Sequence, residues 1–151
     1  MEPKQVIEIL NNLVENCRDG EYGFRSTAEH AKTSRLIEVF LERAENCRLA
    51  AHELQGLITQ LGGEPVDGGT LAGAAHRGWV AVKGTLAGYS DLNMLEEAER
   101  GEDAALERYR GALEKELPPA VRSVIERQYE GVKKNHALIR DLRNQARSVG
   151  S

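Results

Sequence analysis

Four stretches of this chain repeat apolar residues in alternating steps of three and four, and that period admits little besides long amphipathic helices. The first reads Leu10, Val14, Cys17, Glu21, Phe24, Ala28, Ala31 and the second Ile37, Phe40, Ala44, Cys47, Ala51, Leu54, Ile58, Leu61. The third reads Leu95, Glu99, Glu102, Leu106, Tyr109, Leu113 and the fourth Val121, Ile125, Gln128, Val132, Asn135, Ile139, Leu142, Ala146. Each seam is interrupted or flanked by polar groups: Glu21, Glu45, Glu99 with Glu102, and His136. Burying such groups is costly unless they are paired or coordinate a metal.

Helix boundaries follow from local chemistry. The first helix is expected from Pro3 to Ala31, with proline in the first turn, where its missing N–H costs nothing. Gly20 and Gly23 break its seam, so a kink, a close approach of a neighbour or a division into two helices are the competing readings. The second is expected from the cap at Thr33 or Ser34 to Leu61, ended by Gly62-Gly63. The third starts near Ser90 or Asp91 and ends by Leu117, because Pro118-Pro119 stops one helix and opens the next. The fourth runs from Pro119 to Arg147, with a frayed tail after it. Residues 62–89 are glycine-rich, and a shorter helix capped by Thr70, from Leu71 to about Leu86, is the expected content of this connector.

The chain of 151 residues reads as a single domain, 1–151. Aromatic residues make up 5%, which weighs against a β-sandwich or barrel, and a net charge of −4 weighs against a nucleic-acid binder. There is no apolar run of spanning length and no apolar leader, so a cytoplasmic protein without membrane contact is expected. Cys17 and Cys47 lack metal-pair spacing and sit on seams. Buried thiols are the plain reading, and a redox pair is the alternative.

Topology decides whether the polar residues meet. Short turns make the first and second helices antiparallel, and likewise the third and fourth. A connector helix of about 16 residues spans roughly 24 Å and can return the chain along the bundle, which makes the third helix parallel to the second. Levels counted from the helix midpoints then bring Glu21, Glu45, Glu99 or Glu102, and His136 to one slab. In an up-down-up-down bundle the third helix would contribute no acid there.

This is the pattern of the ferritin-like superfamily, which the chain resembles. Within it, the chain is similar to a bacterial family of four-helix-bundle proteins of unknown function. The residues that carry the resemblance are Asp19-Gly20-x-x-Gly23-Phe24, Glu53-Leu54-Gln55 with Leu61-Gly62-Gly63, and His76-Arg77-Gly78-Trp79. Glu99-x-Gly101-Glu102-Asp103, Tyr109, and His136 with Ile139-x-x-Leu142 complete it. The resemblance implies an all-α, ferritin-like four-helix bundle with a long, partly helical crossover between the second and third long helices.

A full di-iron carboxylate site takes a glutamate from each of two helices and Glu-x-x-His from each of the others. Here Arg48 stands three residues after Glu45, and Lys133 three before His136. One histidine and one bridging acid are missing. The candidate metal set is therefore Glu21, Glu45, Glu99, Glu102 and His136, suited to iron, manganese or zinc. The competing reading is an ion-pair network in which Arg48 supplies the cation. No catalytic residue is assigned, and serine-elbow, Walker A and dinucleotide motifs are absent. Three functions stay open: a non-catalytic or degenerate ferritin-like protein, of use in stress or as an interaction module; an iron- or manganese-dependent oxidoreductase; and a homo-oligomeric scaffold with an unknown protein partner.

Overall fold

The structure is a computed structural model, and it describes residues 1–65 and 90–150, with side chains to 148. The expected connector helix, with Thr70, His76 and Trp79, lies outside the described residues. Among the described residues there are four long helices: α1 (Pro3–His30), α2 (Ser34–Gln60), α3 (Asp91–Leu113) and α4 (Pro119–Gly150).

Helix α1 opens with Pro3, and the backbone N–H of Glu2 donates to Gln5 Oε1 at 3.1 Å, satisfying one end of a capping box. It runs unbroken through both glycines. A Cβ at Gly20 would stand 2.8 Å from Cys47 Sγ, so the glycine leaves room for a side chain of α2 to approach closely. Helix α2 ends in a Schellman motif: Gly62 has φ +84°, its N–H donates to Thr59 O, and Gly63 N–H donates to Ile58 O, both at 3.0 Å.

Helix α3 begins at the Ser90 cap, whose Oγ accepts from Asn93 N–H at 3.1 Å. It stops at Leu113, earlier than the expected Leu117. A proline disfavours helical conformation in the residue before it, so Pro118 keeps Leu117 out of the helix. Leu117 packs into the core instead. Arg122 Nη2 covers the exposed end, donating to Leu113 O at 3.0 Å and Lys115 O at 2.6 Å. Helix α4 continues past Arg147 to Gly150, where fraying was expected.

Contacts between helix ends give the topology. Asp91, at the start of α3, accepts from Lys32 N–H at 2.7 Å and from the Thr33 hydroxyl, at the start of α2. Helices α2 and α3 therefore begin at the same end and run parallel, which requires the chain to cross the bundle between them. Arg147 reaches Glu96 and His136 reaches Asp103, so α4 runs antiparallel to α3.

The core is divided. One apolar cluster holds Val6, Leu10, Leu13, Val14, Leu54, Ile58, Tyr109 and Ile125; the other holds Phe24, Phe40, Met94, Leu95 and Ile139. Phe24 and Phe40 stack in the second at a centroid distance of 6.3 Å. Buried charge lies at the junction: Glu21, Arg43 and Glu102 are each at most 6% exposed.

A candidate polar layer in the bundle core

The α2 seam uses Leu36, Phe40 and Ala44 with Arg43 on the same inward side. Arg43 crosses to α3, where Nε and Nη2 both donate to Glu102 Oε1, at 3.0 and 2.8 Å. Its guanidinium lies over the Phe24 ring, 5.2 Å from the centroid, so apolar area on α1 covers the flat face of the cation. Burial raises the Glu102 carboxyl above the usual range, and the positive charge of Arg43 opposes that rise. Burial alone would lower Arg43, but the negative charge of Glu102 leads the interactions that outweigh it and lift the guanidinium above its usual value. Glu102 Oε2 has no hydrogen-bond partner among the described residues.

Toward the first cluster the layer continues as a hydrogen-bonded chain. Tyr109 Oη donates to Gln128 Oε1 at 2.7 Å. Its proton is thereby committed, so Cys17 Sγ, 3.4 Å from Oη, is the donor in that contact. Gln128 Nε2 donates to Glu53 Oε1 at 2.8 Å and to Ala50 O at 3.3 Å. Burial pushes the Cys17 thiol up to about 11 and raises Cys47 further. Both cysteines are free thiols.

The residues expected to share one site are distributed otherwise. Glu21 is buried but held by its own helix, with Arg18 Nη1 and Arg25 Nη2 each 2.9 Å away. Glu45 points outward and is paired with Arg48, whose Nε donates to Oε2 at 2.9 Å. That hydrogen bond leads the causes that hold the Glu45 carboxyl below its usual range. Glu99 pairs with Arg143. His136 Nε2 lies 2.5 Å from Asp103 Oδ1 at the surface. Glu102 is the expected residue found at the centre.

The cation expected at Arg48 is instead Arg43. Leu36, Phe40, Arg43 and Cys47 follow one another in steps of four, three and four, so the seam rule could have found it with the register started at Leu36. Glu97, another acid of α3, is 2% exposed and paired with Arg100.

A dinuclear carboxylate centre does not fit these side chains. Among the described residues no group of three or more His, Cys, Asp or Glu side chains gathers closely enough to hold a metal ion. Glu102 meets a guanidinium where such a centre would need a metal, and Glu21 meets two.

Four long helices with α2 parallel to α3 define a ferritin-like bundle. The chain belongs to the family described as Domain of unknown function (DUF2383), which matches residues 5–115. A Dps1 variant from Mycobacterium smegmatis has a similar structure, with TM-score 0.80 and 16% identity over 93% of this chain and 96% of that one. A dodecameric thioferritin, the bacterioferritin-related protein from Bacteroides fragilis, has TM-score 0.79 and 17% identity over 99% of this chain and 91% of that one. At such identities the likeness is one of fold. No curated protein matches the sequence.

Among the described residues no helix is long and apolar enough to cross a membrane.

Proposed function

We propose that this is a non-catalytic ferritin-like protein whose central layer holds an arginine–carboxylate pair in place of a metal centre. The Arg43–Glu102 pair supports this reading, with two N–H groups of the guanidinium, from Nε and Nη2, on one buried oxygen. A cation placed beside Glu102 would have to displace or approach a fixed positive charge. Arginine does not lose its charge at physiological pH, so this obstacle persists across the range in which iron or manganese would bind.

Elemental analysis of protein purified without chelator and then supplied with iron or manganese tests the reading. The expected result is substoichiometric metal together with a large stability loss in Arg43→Met. Stoichiometric metal that disappears in Glu102→Ala or His136→Ala would overturn it and favour the oxidoreductase.

We also propose self-association. Leu41 and Leu49 on α2 are about half exposed, at 50% and 52%, which suits an interface between copies. The Bacteroides fragilis neighbour is described as dodecameric, which supports an oligomer of some order. Light scattering across a concentration series checks this. A monomer at every concentration would end the proposal.

A further inference from the structure

A cavity of about 900 Å³ opens inside the bundle and draws its walls from all four helices. Most of the wall is apolar, with Phe24, Ala50, Ala105 and Val132 among its residues, and Glu102 and Tyr109 stand in it as polar groups. A largely apolar hollow of this size with a few fixed polar atoms is the usual form of a small-molecule site. Two carboxylate oxygens of the wall lack a hydrogen-bond partner among the described residues: Glu102 Oε2, on a residue almost fully withdrawn from water, and Asp19 Oδ1, on a half-buried one. Tyr109 Oη, Gln128 Oε1 and Gln128 Nε2 satisfy one another and their neighbours, and Arg43 Nε and Nη2 both donate to Glu102 Oε1. Glu102 Oε2 is buried without a hydrogen-bond donor among the described residues. An oxygen in that condition is costly to leave unpaired.

We infer that the cavity binds a neutral, mainly apolar alcohol or phenol whose hydroxyl donates to Glu102 Oε2. Neutrality follows from charge balance across the lining: Arg43 pairs with Glu102, Arg127 with Glu53 and Arg100 with Glu97, and the charge of Arg108 acts on Asp19, so a further buried charge would be unpaired. The donor requirement follows from the vacant carboxylate lone pairs, which an ether or hydrocarbon cannot satisfy. This goes beyond the proposed loss of metal chemistry.

The probes are 2-naphthol and its methyl ether, 2-methoxynaphthalene, which match in shape but differ in the donor. Fluorescence titration of the full chain is expected to give saturable naphthol binding, with the ether at least about tenfold weaker, the difference expected of one buried hydrogen bond to a charged group. Gly131 also lines the cavity, and a Cβ there meets nothing within 4 Å. Gly131→Leu should therefore fill space without disturbing the fold. It is expected to abolish naphthol binding while leaving the helical circular dichroism unchanged. Naphthol that fails to saturate, as it would if a water molecule already satisfied Oε2, overturns the inference. So does equal binding of the two probes, or unchanged naphthol binding in Gly131→Leu.

Discussion

Arg43 and Glu102 join α2 to α3 through two donors on a single carboxylate oxygen, at a level where both side chains are almost fully withdrawn from water. The pair fastens two helices that are far apart in sequence. Arg43 also covers the ring of Phe24 in the second apolar cluster.

Removing one member should therefore cost far more than removing both. Arg43→Met leaves Glu102 charged and unpaired in the core and should destabilise by about 3–5 kcal/mol. The double variant Arg43→Met with Glu102→Leu should recover most of that loss, since apolar replacement of a buried pair is often neutral or better. Urea melts of the two singles and the double give the coupling directly.

Gly20 and Cys47 form a second cycle. Gly20→Ala should destabilise by about 1 kcal/mol, because the new methyl meets Cys47 Sγ, now 2.8 Å from its position. In a Cys47→Ala background the obstructing sulfur is gone. There, Gly20→Ala should be neutral or stabilising by up to about 1 kcal/mol, the helix preference of alanine over glycine. Denaturant midpoints of the four proteins test the sign reversal.

The buried thiols make the protein sensitive to alkali. Cys17 titrates near 11 when folded, against an ordinary 9.0, and Cys47 is raised as well. Thiols whose folded values are raised stabilise the fold while protonated, and that contribution is lost as pH rises. Between pH 9 and 11 the unfolded chain releases these protons first, so stability should fall by up to about 1.4 kcal/mol per pH unit for each thiol. The double variant Cys17→Ala with Cys47→Ala should show a flatter profile over that window. A thiol reagent at pH 8 should label the native protein far more slowly than the unfolded chain, because the thiolate is the reactive form.

Tyr109→Phe removes the donor to Gln128 Oε1, whose present bond is 2.7 Å, and leaves that oxygen without the bond. The expected cost is about 1–3 kcal/mol, measured by thermal or urea unfolding. Tyr109→Phe with Gln128→Leu should cost less than Tyr109→Phe alone, since no orphaned acceptor remains.

The four long helices, their approximate spans and most of their inward apolar residues were legible in the sequence because a 3.6-residue period and its caps are local properties. Proline at positions 3 and 119, Ser90, and Gly62-Gly63 act within a turn of their own backbone, and the helix starts and the end of α2 fall where they indicate. The parallel course of α2 and α3 was legible too, because only a chain that crosses the bundle can join two such helices.

The membership of the polar layer was not legible. A seam position specifies which way a Cα–Cβ bond points, but a long charged side chain can turn toward either face and choose among several partners. Glu45 and Arg48 satisfy each other on the surface, three residues apart on one helix. Arg43, one turn earlier, finds its acid on a different helix. Periodicity by itself determined a four-helix bundle with charge near its middle. Which charges meet there was decided by tertiary packing, since ion pairing depends on distances between helices that no local pattern encodes.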